Sequence, residues 1–556
     1  MSGLKNERKR PLNNRLLHTP DGVRDSYGDD YEKRLKLQLS LHDVLKDFGY
    51  RDISTPSFEY FDIFANEIGT TPSNELYKFF DSDNNTLVLR PDFTPGVARA
   101  AAKYFLDQEE VVKLSYMGNV FSDNGDYKGR LKERSEIGAE FMGDGSVKAD
   151  AEMIKLASDL LSKAGFKDYM ICIGNAEYFK GLCNEAGITG KAELDLREAI
   201  SNRNLSAAHD ILDAISCDVS LKEAIAGCID YFGDVSILEK AGETAIGDRS
   251  KKAVKRLEEV YSRISEFGIE ERVTFDLGML SKYNYYTGII FRAYVPSAGD
   301  AVIKGGRYDD LLGSFGKDCP AVGLTLSLDG VLQSLSREDA RAGKEHYLTF
   351  ALTKGRLAFK TLDLLEKIGI SCEEMRDKDT RKLIFVNEEK KLKFFLAKGP
   401  DVPTYVEYGA ADIGVVGKDT IVEEDRKIYE VLDLGFGQCR MCICGFEDAN
   451  ELLQHRQMIR VATKYPKITR DYFQNRKQQT VDIIKLNGSI ELAPIVGLSD
   501  VICDIVETGS TLKENGLKIL EEVMPLSARM VVNPVSMRLE ASRIREIINA
   551  LRDTIN

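Results

Sequence analysis

The stretch of this sequence best suited to chemistry is VICDIVETGSTL, residues 501–512. Val501 to Val506 reads as a buried strand, and the residues after Thr511 are compatible with a helix. The turn between them would aim backbone N–H groups and the hydroxyls of Thr508, Ser510 and Thr511 at one point. That point lies at the positive end of a helix dipole, where a phosphate is favoured. Gly509 lets the backbone approach such a group closely. Asp504 and Glu507, just ahead of the turn, are placed to hold ribose hydroxyls, directly or through Mg2+. A helix N-cap box with Thr508 or Ser510 as the cap explains the same letters, so the phosphate reading needs company.

Company comes from cations earlier in the chain. In ALTKGRL (351–357) a strand ends in Lys354 and Arg356 around a glycine turn, and Thr380, Arg381 and Lys382 precede another strand. A solvated charge pair explains each alone. Other chemistries find little support. The ten cysteines are scattered, and their single C-x-x-C spacing, Cys439 to Cys442, runs into an apolar stretch with no second pair, so neither a zinc knuckle nor a thioredoxin-like centre is indicated. Cys442 and Cys444 lie in the apolar run MCICGF and read as a buried strand. The five histidines (His18, His42, His209, His346 and His455) are far apart in sequence, which disfavours a histidine metal site or triad.

The elements that must position these residues occupy 556 residues, too many for one core, so two or more domains are expected. With 76 basic and 89 acidic side chains the formal charge is −13, which argues against wholesale nucleic-acid binding. A few arginines can still build a local anion site. Residues 1–16 form a basic tail without the apolar core of a secretory signal, and no stretch approaches the roughly 18 apolar residues of a membrane span. Cytoplasmic location and reduced thiols are the expectation.

Residues 31–49 read as an amphipathic helix with Leu35, Leu39, Leu41, Leu45 and Phe48 towards a core. Strand patterns and helices alternate irregularly to about residue 180. A helix-rich stretch at about 180–265 carries no recognisable chemistry, and strands return in RVTFDLGML, YYTGIIFRAYV and GGRYDDLLG. This is α+β texture around a mostly antiparallel sheet. SREDARAGKEH (336–346) is polar and is taken as the linker. Beyond it strands and helices alternate as in a parallel α/β sheet.

Taken together, ALTKGRL, Thr380-Arg381-Lys382, the run 401–419, LDLGFGQCR, ATKYP, IKLNGSIELAP (484–494) and the 501–512 turn resemble the ATP phosphoribosyltransferase family across 346–556. The resemblance implies two periplasmic-binding-protein-like lobes, 347–440 with 525–556 and 441–524, with substrates in the cleft. It implies that N1 of ATP attacks C1 of 5-phosphoribosyl diphosphate, with Mg2+ and loss of diphosphate. Arg356 and Arg381, with Lys354, are carried over to the diphosphate side, the arginines partly across a dimer interface. Asp504, Glu507, Thr508, Gly509, Ser510 and Thr511 take the phosphoribosyl group. Asn487, Gly488 and Ser489 are assigned to the cleft, with packing as the alternative. The chain matches the family's short form, which lacks its own feedback sensor.

Residues 17–335 resemble the class II catalytic core of histidyl-tRNA synthetases. The blocks are TPDGVRD (19–25), LRPDFTP (89–95), GRLKERSEIGAE (129–140), YYTG (285–288), GGRYD (305–309) and PAVG (320–323). The departures matter as much. Ser122, Ser281 and Gly330 stand where the family has arginines for ATP phosphates, and the anticodon-binding domain is replaced by the transferase. Adenylation is therefore not expected. The amino-acid pocket is better kept: Asp92 and Thr94 match the ammonium site, Glu136 and Glu140 face the bound histidine, and Tyr286 and Tyr308 form its aromatic wall. Glu136 replaces a usual glutamine. Leftover structural acid pairs are the alternative.

The expectation is a regulatory subunit fused to its catalytic partner, with ATP and 5-phosphoribosyl diphosphate as substrates and histidine as allosteric inhibitor. A homo-oligomer built from catalytic dimers is expected. A histidine–tRNA ligase and a two-lobed solute-binding sensor are the rival readings. The first lacks the arginines, and the second has no use for the 507–511 turn.

Overall fold

The amphipathic stretch near the amino terminus forms the helix Gly28–Asp47, which buries Leu37, Leu41, Val44 and Leu45. Those positions fit one 3.6-residue stripe. Leu35 and Leu39, expected inside, lie off it and are 42% and 55% exposed. The computed structural model describes residues 17–64, 71–123, 130–281, 285–341, 345–377, 381–454 and 458–555. The basic tail 1–16, Gly129, Thr380 and His455 lie outside the described residues. Contacts divide the chain into two units. One lies within Met1–Ile188, Val219–Val295 and Ala301–Asp339, the other within Thr189–Asp218, Pro296–Asp300 and Ala340–Asn556.

The first unit is built on a nine-stranded sheet. Its order is Arg51–Asp52, Val112–Phe121, Glu133–Met142, Ala321–Ser327, Ile303–Arg307, Ile289–Tyr294, Met170–Asn175, Val273–Asp276, Phe232–Gly233. The pairings are antiparallel except Arg51–Asp52 with Val112–Phe121 and Met170–Asn175 with Val273–Asp276. The helix Val147–Ala164 is capped by Ser146, whose hydroxyl accepts from Ala149 N at 3.4 Å. It also supplies Asp150, fully buried between two arginines. Arg307 Nη2 and Arg256 Nη2 each lie 2.6 Å from its carboxylate oxygens. Arg307→Ala removes one cation from a carboxylate that water cannot reach. It is expected to cost about 3–5 kcal/mol, read as a lower urea midpoint for unfolding.

The second unit holds two sheets. The first runs Ile384–Asn387, Leu392–Ala397, Leu348–Thr353, Ile413–Gly417, Ala528–Val532, Tyr429–Asp433. The second runs Val481–Lys485, Ile459–Thr463, Val501–Val506, Cys439–Gly445, Lys518–Leu526. Both are mixed. Leu348–Thr353 and Ile459–Thr463 have parallel neighbours, whereas the strands on either side of the lobe crossings pair antiparallel. Alternation alone suggested a parallel sheet. The difference arises because the chain crosses directly between lobes, at 434–438 and at 527, without a helical return. Gly435 and Gly437, both at positive φ, lie in the first crossing. Cys442 and Cys444 are buried in their strand, as read.

Of the expected linker, residues 336–341 extend the helix Leu328–Arg341, and 342–344 lie outside the described residues. No helix among the described residues is long and apolar enough to cross a membrane.

Candidate functional site

In the second unit the strand Val501–Val506 sends Val501, Cys503 and Ile505 to one core and Ile502 and Val506 to the other. By alternation Asp504 lies on the Ile502 face. It is half-buried, and burial raises its carboxyl to about 6 against the pull of Ile505 N–H, which donates to Oδ1 at 2.8 Å. Glu491 and Lys464 are its charged neighbours. Glu507 and Thr508 follow, exposed, and Gly509 at φ 74° turns the chain into the helix Ser510–Glu514. That left-handed backbone suits glycine. The cap position is Gly509 itself, without a side-chain cap, so neither Thr508 nor Ser510 serves as the N-cap. Instead Thr508 Oγ1 lies 3.1 Å from Ser510 Oγ and accepts from Ser510 N at 3.4 Å. The hydroxyls crowd one point above the turn.

The other lobe answers with a cation. Arg356, the first residue of the helix Arg356–Lys367, donates from Nη2 to Glu507 Oε2 at 2.9 Å. The guanidinium holds the Glu507 carboxyl below its ordinary range. Lys354 is exposed just before it, with its backbone N–H on Ala397 O at 2.8 Å. Arg381 is exposed ahead of the edge strand Ile384–Asn387, two strands from Leu348–Thr353. Asn487, Gly488 and Ser489 form an exposed turn after Val481–Lys485, with Ser489 at φ 50°. The block ATKYP brings two further side chains to this region that no local signal marks. Lys464 is near Asp504, and Tyr465 lies near Asp419 of the other lobe, with burial pushing its phenol up.

In the first unit polar and aromatic side chains gather in a buried cluster over the antiparallel strands. Glu140 is buried and receives three hydroxyls. Thr94 Oγ1 donates to Oε1 at 2.6 Å, Tyr116 OH to Oε1 at 3.2 Å, and Tyr308 OH to Oε2. Tyr116 OH also lies 2.9 Å from Thr325 Oγ1. Asp92 Oδ1 accepts from Thr94 N at 3.0 Å. Tyr308 stacks on Tyr285 at 5.4 Å, and Tyr286 stands edge-on to Tyr285 at 5.0 Å. Burial raises Glu140 to about 8 and Glu136 to about 7, the hydroxyls opposing the first and Arg134 the second.

Glycines make the room. A Cβ on Gly323 would meet Glu140 Oε2 at 1.7 Å, one on Gly306 the Tyr286 ring at 2.7 Å, and one on Gly138 the Tyr116 ring at 2.2 Å. The expected residues Asp92, Thr94, Glu140, Tyr286 and Tyr308 thus converge, with Tyr116 and Thr325 as additions that no motif signalled. Ser122 is buried, and Ser281 ends a described segment. Gly330 lies beside Asp329, whose carboxylate takes Arg24 at 3.1 Å, Arg34, and Ser135 N at 2.8 Å. Cations there are already engaged by protein.

A histidyl-tRNA synthetase family model matches residues 22–331, and an ATP phosphoribosyltransferase model matches 398–553. The ATP phosphoribosyltransferase of Lachnoclostridium phytofermentans is 71% identical over 209 residues, 38% of this chain and 97% of its own length. The ATP phosphoribosyltransferase regulatory subunit of Ruminiclostridium cellulolyticum is 35% identical over 360 residues, 64% of this chain and 86% of its own. A Bacillus halodurans structure, described as an ATP phosphoribosyltransferase regulatory subunit/histidyl-tRNA synthetase, superposes with TM-score 0.55 at 24% identity. It covers 69% of this chain and 99% of its own, a likeness of fold.

A class II synthetase-type sheet and a two-lobed α/β transferase thus share one polypeptide. The chain belongs to the ATP phosphoribosyltransferase family, joining a histidyl-tRNA-synthetase-like regulatory half to a short-form catalytic half. Its reaction converts ATP and 5-phosphoribosyl diphosphate to N1-(5-phosphoribosyl)-ATP and diphosphate, in histidine biosynthesis.

Proposed function

We propose that the 507–511 turn takes the 5-phosphate of the donor, that Asp504 holds its ribose hydroxyls, and that Arg356, Arg381 and Lys354 draw off the diphosphate. N1 of ATP carries its own lone pair, so positioning supplies much of the acceleration and no general base is needed. As N1 bonds to C1, the C1–O bond to diphosphate breaks and negative charge gathers on the leaving group, where fixed guanidinium groups act most strongly. The Arg356–Glu507 contact carries this reading, since it brings a cation of one lobe to the turn of the other. Arg356 exchanges Glu507 for diphosphate when substrate enters.

No group of three or more potential metal ligands occurs among the described residues. Asp504 and Glu507 fit a Mg2+ that arrives on the diphosphate, where it would neutralise leaving-group charge. Arg381 is proposed to act across a catalytic dimer within a larger homo-oligomer. Its neighbours Leu383, just ahead of an edge strand, and Ile384, the first residue of that strand, are 79% and 60% exposed, which supports a partner there.

The first-unit pocket is proposed to bind histidine as feedback inhibitor. An ammonium and an imidazole N–H want acidic acceptors and aromatic faces, and Asp92, Glu136, Glu140, Tyr286 and Tyr308 supply both. The modules are taken as 17–335 and 347–556, in the cytoplasm. The assay mixes the protein with ATP, Mg2+ and 5-phosphoribosyl diphosphate, follows phosphoribosyl-ATP absorbance, and titrates histidine. Arg381→Ala is expected to lose roughly 10²-fold in turnover, while Asp92→Ala keeps turnover and loses inhibition. Both variants losing both properties would defeat the division of labour.

A further inference from the structure

Residues 189–218 interrupt the synthetase-like half of the sequence, yet they pack with the transferase lobes. They form two helices, Lys191–Ser201 and Leu205–Asp213, joined at Asn202–Asn204. That joint seats on the strand Tyr429–Asp433. Glu430 N donates to Asn202 O at 3.2 Å, and Asn204 Nδ2 donates to Glu430 Oε2 at 3.3 Å. Asn204 also caps its own helix, accepting from Ala207 N at 3.0 Å.

Glu430 is 7% exposed and does more than receive the arm. The same Oε2 accepts from Lys418 Nζ, and Oε1 lies 3.4 Å from Arg529 Nη1. Lys418 opens the helix Lys418–Glu424, which reaches the other lobe. There Glu423 accepts from Lys467 N and Ile468 N, each at 3.1 Å, at the start of the helix Pro466–Asp471. Asp419 meets Tyr465 beside it, and Val422 packs on that lobe's core. The helix Lys418–Glu424 therefore bridges the lobes that carry Arg356 and the 507–511 turn, and is placed to act as a pivot.

At its upstream end the arm continues from the helix Ala176–Glu185, whose Lys180 donates to the backbone oxygen of Tyr286, the pocket's aromatic wall, at 2.9 Å. We propose that the 189–218 arm transmits occupancy of the first-unit pocket to the transferase cleft, with Glu430 as the positioning residue tying the arm to the pivot helix. This rests on the reading of that pocket as a histidine site. Histidine shifts Tyr286, the shift passes through the helix 176–185 into the arm, and Glu430 resets the pivot and the lobe separation. Such a route needs an element with two arrangements, and the cleft, open or closed, is that element.

Asn204→Asp is the discriminating variant. Aspartate remains a good N-cap, so the arm helix survives, but a second carboxylate now faces Glu430. Turnover without histidine is expected within two-fold of wild type, and calorimetric histidine affinity likewise. The half-inhibitory histidine concentration should rise at least ten-fold, and Glu430→Gln should uncouple similarly. In wild type, histidine should alter hydrogen exchange at the amides of residues 467 and 468, and in Asn204→Asp it should not. Either variant inhibited at wild-type histidine concentrations, or a persisting exchange response in Asn204→Asp, overturns the route. Loss of histidine binding in Asn204→Asp also overturns it, by making the arm part of the pocket. A wild-type protein that neither binds histidine nor responds to it would remove the pocket reading, and the route with it, before any variant is made.

Discussion

Arg356→Ala is expected to lower turnover by roughly 10²–10³-fold while leaving thermal stability close to wild type. Arg356 opens the helix Arg356–Lys367, whose first turn carries no acid. A cation at a helix N-terminus opposes the dipole, so helix stability does not explain it. Nor does its partner, because Arg356 and Glu507 are 66% and 52% exposed and exposed pairs contribute little. What remains is the diphosphate, whose charge grows as C1–O breaks. Steady-state kinetics with 5-phosphoribosyl diphosphate varied should show kcat falling more than KM changes. Arg356→Lys should recover only part, since an ammonium cannot make the forked contact of a guanidinium. Wild-type kcat in the alanine variant would remove Arg356 from the chemistry.

Histidine binding should release protons, and its affinity should rise with pH between about 6.5 and 8. Burial holds Glu140 near 8 and Glu136 near 7, so with the pocket empty both carboxyls are largely protonated at pH 6.5. A cationic ligand favours their ionised forms, and each proton released steepens affinity by about ten-fold per pH unit at most. Stability of the folded protein runs the other way with pH. With folded values above the ordinary 4.5, the native state binds more protons than the unfolded chain. The contribution to stability is therefore full below about 4.5 and lost as pH rises through 7 and 8. Glu140→Gln should weaken histidine by about 10–100-fold, losing a charged hydrogen bond of about 1.5–3 kcal/mol, and release one proton fewer. Calorimetry in two buffers of different ionisation enthalpy measures this. Equal proton release by wild type and variant would count against Glu140.

Much of this was legible in the sequence, for reasons that differ by element. The 501–506 strand and 507–511 turn could be read because apolar run, glycine and hydroxyls are local signals. Glu140, Tyr286 and Tyr308 came only from the family pattern, since a strand and the ends of two others, far apart in sequence, bring them together. The room they occupy depends on Gly138, Gly306 and Gly323, and nothing in local spacing tells a pocket glycine from a turn glycine. Leu35 and Leu39 were misjudged because two interleaved stripes of leucine share the helix Gly28–Asp47. The arm's two helices carry no chemical motif. Its polar joint at Asn202–Asn204 gains meaning only from Glu430, more than two hundred residues away in sequence.

The half into which both ends of that arm run shares one polypeptide with the transferase, so regulatory and catalytic parts are made in a fixed ratio of one to one. Separate subunits drift apart on dilution, and surplus catalyst escapes control. Tethered parts face each other at a local concentration on the order of millimolar, whatever the expression level. A cell carrying this chain can change how much enzyme it has, but not the ratio of its regulatory half to its catalytic half.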